Sequence, residues 1–225
     1  MKTRSKRYKN SLDKKLSDES QPINKAIELL GTFDSAKFDE SVEVSIALGV
    51  DPKQSSHAVR GTVNLPHGSG KEVKVLVFTE NPEEALAEGA DFAGLEDLVK
   101  KIKDGWVDFD VALSTTSAMK EVRSVARVLG PRGLMPTPKA GTVTDDLTSA
   151  IKEVKSGRVE FKMDKTGAMS VLVGKRSFEP TKLAENAEAA LLAVQNSRPE
   201  GFKGKFIKRA HISSSMSPSI LLDNI

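Results

Sequence analysis

Cysteine is absent from this 225-residue chain. That excludes disulfides, thiolate catalysis, iron–sulfur clusters and every cysteine-built zinc site, and it fits a reducing compartment. No apolar run approaches the roughly 18 residues that a membrane span needs, so no membrane partner is expected. Aromatic residues are few, with one Trp and one Tyr; Trp106, beside Val107 and Phe109, reads as core. The three histidines, His57, His67 and His211, lack an acid at helical ligand spacing, which argues against a metal site or a general base. A Gly-x-Ser-x-Gly elbow, a Gly-x-Gly-x-x-Gly loop and a distinct pair of carboxylates are all missing. Gly68-Ser69-Gly70-Lys71 has only the outline of a phosphate cradle. A nucleotide-binding loop needs Gly where Leu65 stands and Ser or Thr where Glu72 stands, and a Glu there repels phosphate. The expectation is a non-enzyme without cofactors. The competing reading, a nucleotide-binding enzyme built on residues 68–156, requires saturable ATP or NAD binding.

Net charge is only +3, but it is unevenly spread. Residues 68–156 hold 12 basic and 15 acidic residues, whereas the flanks 1–67 and 157–225 hold 22 and 16. The flanks therefore attract polyanions and the middle does not. Met1–Lys15 carries seven basic residues and one acid, Asp13. No apolar segment follows it, so it reads as a cytoplasmic basic arm rather than a signal peptide.

Pattern places the elements. Pro22 followed by NKAIELLGTF predicts a helix with Ala26, Ile27, Leu29 and Leu30 as its apolar stripe. Val42, Val44, Ile46 and Leu48 alternate with polar or small residues and predict a strand with one wet face. Arg60–Leu65 is a second strand. After Gly70 the character changes. Val73–Phe78 is a near-continuous apolar run, as in a strand covered on both faces. Helices are predicted from Asn81 (as cap, with Pro82 next), over Leu95–Ile102, over Ser117–Leu129 and over Asp145–Ser156, with strands near Ala90–Phe92 and Phe109–Leu113 between them. Arg158–Lys162 and Ala168–Val173 flank Asp164-Lys165-Thr166-Gly167 like the arms of a hairpin. A long helix over Glu179–Asn196 and a strand over Phe206–Ser213 complete the chain. The fold class is α/β: the strands and two helices of the flanks build one two-layer domain (1–67 and 157–225), and 68–156 is inserted into it as a three-layer, Rossmann-like domain.

Three regions suit phosphate or base contact. Lys37-Phe38, just before a strand, sets a cation beside an aromatic that either stacks on a base or fills the core. Arg158, Lys162 and Lys165 surround the Thr166-Gly167 turn. Ser213–Ser217 offers hydroxyls and exposed backbone able to read ribose hydroxyls without charge. In the middle, Val125–Val143 contains Gly130, Gly133 and Gly141 with Pro131, Pro136 and Pro138, a stiff loop presenting Arg127, Arg132 and Lys139. It serves equally as a phosphate contact or as a rigid cap on a sheet edge.

The segments KRYK, AKFDES (36–41), LGVDPKQSSHAVRGTVNLPHGSGK (48–71), DGWVDFD (104–110), LGPRGLMPTPKAGTV (129–143), FKMDKTG (161–167) and SSSMSPS (213–219), in this order, resemble the ribosomal protein L-one family, over nearly the whole chain. The resemblance implies an RNA-binding domain made of both termini and an inserted Rossmann-like domain. It implies a constituent of the large (50S) ribosomal subunit that binds 23S rRNA, forms the mobile stalk, assists release of tRNA from the exit site and represses its own operon mRNA, without homo-oligomerisation. Carried over by motif, the rRNA-binding residues are Lys37, Phe38, Ser41, Lys165, Thr166, Gly167, Ser215, Met216 and Ser217, with Arg127, Arg132 and Lys139 as candidates for tRNA or accessory RNA. Ser217 stands where that family usually has Gly, and Ser41 and Ser215 stand where Thr is more usual.

Overall fold

A computed structural model describes residues 4–15, 19–52, 54 and 57–223. In chain order these form α1 (Lys6–Lys14), α2 (Ile23–Thr32), β1 (Ser41–Leu48), β2 (Arg60–Asn64), β3 (Val75–Phe78), α3 (Pro82–Ala87), β4 (Phe92–Gly94), α4 (Glu96–Lys103), β5 (Val111–Ser114), α5 (Met119–Val122), α6 (Ala126–Leu129), α7 (Leu147–Lys155), β6 (Arg158–Lys162), β7 (Ala168–Lys175), α8 (Pro180–Asn196), β8 (Ile207–Ser214) and β9 (Ile220–Leu221). They divide into two compact units, Met1–Lys71 with Val159–Ile225, and Glu72–Arg158. No helix among the described residues is long and apolar enough to cross a membrane.

In the first unit, β1 buries Val42, Val44, Ile46 and Leu48 and exposes Glu43 and Ser45. Each fully buried aliphatic side chain contributes about 1.5–3 kcal/mol, so this two-residue period sets which face turns inward. β1 lies between β7 and β8 in an antiparallel sheet of order β7-β1-β8-β9. α2 and α8 pack on its apolar face through Ala26, Ile27 and Leu30 and through Leu183, Ala187, Leu191 and Val194. Buried Asn186 on α8 donates to Val173 O (2.8 Å) and Gly68 O (3.0 Å), tying the helix to β7 and to the loop after β2. The expected hairpin of β6 and β7 does not form. β6 pairs with β2 in a separate two-stranded sheet, and β7 pairs with β1. The turn chemistry at Asp164–Gly167 is local, whereas the partners are chosen by buried cross-strand neighbours such as Val44 and Val171, far apart in sequence. Among the described residues the unit contains six strands and three helices; the two elements that pattern did not place, α1 and β9, are too polar and too short, respectively, to announce themselves.

In the second unit Val75, Leu76, Val77 and Phe78 are all buried. β3 is the centre of a parallel sheet of order β4-β3-β5. Leu76 and Phe78 join a cluster with α4, α5 and α6 on one face, and Val75 and Val77 join α3 and α7 on the other. The result is three layers. Asn81 precedes α3 but makes no side-chain capping bond; Pro82 starts the helix. The single helix expected over Ser117–Leu129 is broken into α5, a 3₁₀ turn at Arg123–Val125, and α6. Residues three apart eclipse in 3₁₀ geometry, which brings both Val122 and Val125 into the same cluster.

Candidate nucleic-acid interface

The loop between α2 and β1 is organised by one buried acid. Glu40 has no exposed surface. Its carboxylate accepts from Ala36 N (2.6 Å) and, in a short bond, from the Ser214 hydroxyl, and it faces Arg7 (3.8 Å) and Arg176 (3.7 Å). Burial opposes its ionisation. The Ser214 and Ala36 hydrogen bonds and the two guanidiniums outweigh burial and hold the carboxyl below the usual range. Arg176 in turn donates to Phe33 O and to Gly31 O (3.3 Å) at the end of α2. One carboxylate thus joins α1, the 31–40 loop, the end of β7 and the end of β8.

Beyond Glu40, Ser41 and Ser215 are locked together: Ser215 N donates to Ser41 O (3.0 Å) and Ser41 N to Ser215 Oγ (3.1 Å). Lys175 Nζ donates to Ser41 Oγ at 3.0 Å. Ser217 closes the next turn, its Oγ accepting from Ser214 N (3.0 Å) and its N donating to Ser214 O (3.2 Å). The Ser217 side chain is therefore turned into its own loop. Met216 stands at the outside of this turn, 51% exposed, and Phe38 on the neighbouring loop is 52% exposed. Phe38 is not a core residue, which removes one of its two sequence readings. Lys37 beside it is exposed.

Lys165, Thr166 and Gly167 lie elsewhere, at the other end of β1. Gly167 O accepts from Leu48 N at 2.8 Å, and the seven steps from Ser41 to Leu48 span about 23 Å. Asp164 Oδ1 accepts from Thr166 N (2.7 Å), Thr166 Oγ1 (2.7 Å) and Ala168 N (2.9 Å). Thr166, then Ala168, hold its carboxyl below the ordinary value. Gly167 has φ +81° and is buried, a conformation that suits glycine. Lys165 and Thr166 are exposed. Between the two ends runs the polar face of the sheet, opposite α2 and α8. A shallow depression there is lined by Ser45, Ser170, His211, Lys162 and Asp164, and Ser170 Oγ donates to Glu43 Oε2 at 2.7 Å. Burial, then Lys15 and Arg209, push the His211 imidazole below its usual value, so it is neutral at pH 7.

In the second unit Arg127 and Arg132 are exposed; the side chain of Lys139 lies outside the described residues. Arg127 lies on α6 rather than on the loop, and the loop that follows, which carries Arg132, is fastened at several points. Thr137 N donates to Thr142 Oγ1 (2.7 Å), and Arg158 donates to Ala140 O (3.0 Å) and Glu153 (2.7 Å). Gly141, at φ +62°, leaves no room for a Cβ beside the Arg158 guanidinium.

Sequence reasoning gave no place in the site to Glu40, Arg7, Arg176 or His211. Alternation in β1 already marked Glu43 and Ser45 as wet. Nothing local marked Glu40 as buried, because its partners come from three distant segments.

Residues 30–218 match the model of the Ribosomal protein L1p/L10e family. The large ribosomal subunit protein uL1 of Kosmotoga olearia is 50% identical over 228 residues, covering 100% of this chain and 98% of that protein. The uL1 of Protochlamydia amoebophila is 50% identical over 203 residues, covering 89% and 86%, and that of Persephonella marina 49% over 229, covering 99% and 95%.

Proposed function

We propose, since the chain belongs to the Ribosomal protein L1p/L10e family, that its first unit is an rRNA-binding domain. The protein is a structural, non-enzymatic constituent of the large ribosomal subunit. Within the subunit it binds 23S rRNA, forms the mobile stalk and assists tRNA leaving the exit site; it also represses its own operon mRNA by binding the same way. The second unit is an inserted domain whose Arg127 and Arg132 face tRNA or accessory RNA.

The observation that carries rRNA binding is the strip along β1: exposed Phe38 and Met216 with pinned serine turns at one end, Lys165 and Thr166 at the other, and between them the polar face opposite α2 and α8. Hydroxyls and backbone held rigid by their own hydrogen bonds can meet ribose and phosphate without a further ordering cost, and the two apolar side chains offer stacking surfaces for unpaired bases.

The test is a salt titration of the full chain with 23S rRNA fragments. About five phosphate contacts, each adding roughly 0.7–0.9 to the log–log slope, predict an affinity loss on the order of 10²-fold between about 50 and 200 mM salt. A flat, sequence-blind response overturns the reading. Co-sedimentation with large subunits separates the ribosomal role from that of a free regulator.

A further inference from the structure

Within the basic N-terminal segment, Lys6–Lys14 forms the helix α1. Ser5 caps α1, its hydroxyl accepting from Tyr8 N at 3.3 Å. The far end is anchored on the loop after α2: Lys14 donates to Thr32 O and Asp34 Oδ1 (both 2.8 Å), and Asp34 N donates to Ser11 Oγ (3.2 Å). Arg7 is held by Glu40. These contacts bring the first turn of α1 beside the Ser215–Ser217 turn. Arg4, Ser5, Arg7 and Tyr8 face Met216 and its neighbours across a groove of about 370 Å³, within the roughly 300–1,000 Å³ of ligand-sized sites.

From this we infer a further RNA subsite, resting on the rRNA-binding reading above: the groove takes one unpaired nucleotide, its phosphate on the Arg4 guanidinium and its base against Met216. The Arg4 guanidinium lies 4.4 Å over the Tyr8 ring. Stacked this way, its face is satisfied by the ring while its N–H edge remains available to a phosphate. Tyr8 is then the residue that positions Arg4. Charge favours a polyanion. The acid paired with the groove residue Arg7, Glu40, is buried and answered by two arginines, and Lys6 and Lys9 on the same helix have no acidic partner among the described residues. The groove is also continuous, through Ser215 and Met216, with the strip already proposed to bind rRNA.

The test compares full-length variants binding a 23S rRNA fragment that the wild type retains. Arg4→Ala is expected to weaken binding about tenfold near 100 mM salt and to make the log–log salt slope shallower by about 0.7–0.9, one phosphate contact. Tyr8→Ala is expected to do the same, because Arg4 loses its platform, whereas Tyr8→Phe keeps the ring and wild-type affinity. Lys9→Ala, on the same helix but outside the groove, is the control for diffuse charge. An Arg4→Ala slope equal to that of the wild type, or a Lys9→Ala effect as large as that of Arg4→Ala, overturns the subsite while leaving the wider interface intact if Phe38→Ala still weakens binding. Failure of the wild type to retain any rRNA fragment overturns both readings.

Discussion

Replacing Glu40 by Ala removes the centre of the candidate interface rather than its surface. The carboxylate is fully buried, takes hydrogen bonds from Ala36 N and Ser214 Oγ, and sits 3.7–3.8 Å from two guanidiniums. Deleting one side of a buried charged pair costs about 3–5 kcal/mol, because the partner is left without compensation. The Arg7 side chain is 31% exposed and the Arg176 side chain 16%, so water recovers part of their solvation and the lower figure, about 3 kcal/mol, applies. At about 2–4 °C per kcal/mol, this lowers the melting transition of the first unit by about 6–12 °C. Circular dichroism melts of Glu40→Ala and Glu40→Gln against wild type measure it, with Gln expected to lose less because it retains hydrogen-bonding capacity. The sign with pH is fixed by the lowered carboxyl. The unfolded chain binds its proton first, so the ionised carboxylate's contribution is fully present above the ordinary Glu value and is lost as pH falls through the folded value. The gap between wild type and Glu40→Gln should therefore be constant from pH 7 to about 5 and narrow below about 4.3. A Glu40→Ala melt within 2 °C of wild type (about 1 kcal/mol or less), or a gap that widens on acidification, would refute the reasoning.

Further outcomes follow from the same geometry. Phe38→Ala and Met216→Ala should each weaken rRNA-fragment binding about tenfold, the order of one base stack, with unfolding free energies within about 0.5 kcal/mol of wild type; a large loss of stability would make either residue structural. Gly167→Ala should cost about 1–2 kcal/mol in chemical denaturation, from backbone strain at φ +81° rather than from crowding, since a Cβ there meets nothing closer than 3.6 Å. His211 should titrate by NMR below its unfolded value near 6.5. Its folded form resists protonation, so stability falls as pH drops below about 6.5, and His211→Gln should flatten that part of the pH–stability curve.

Much of the fold could be read from the chain. The alternation of Val42, Val44 and Ile46 marked β1 and its wet face, the unbroken Val75–Phe78 run marked a strand covered twice, and the Leu98–Val99–Ile102 spacing marked α4. The motif AKFDES led to Lys37 and Phe38, and SSSMSPS to Met216, all exposed in the structure. The reading failed where partners were distant. The turn 164–167 looked like a hairpin but joins two sheets. Charge alone marked the basic arm and placed no helix there, whereas residues of the loop after α2 anchor its Lys6–Lys14 stretch as α1. Ser217, at a position where Gly is more usual, turns its hydroxyl inward to accept from Ser214 N.

Periodicity and composition are properties of neighbouring residues, and they suffice for the α/β class, for most element positions and for the absence of thiol chemistry. Burial of a charge is not such a property. Glu40 reads as one more surface acid until Arg7, Arg176 and Ser214 arrive from three other parts of the chain to neutralise and hydrogen-bond it. The same assembly leaves Phe38 and Met216 outside the core and separates Ser41 from Gly167 by the length of a strand, because a folded sheet satisfies long-range pairing and packing together, and no local window contains either.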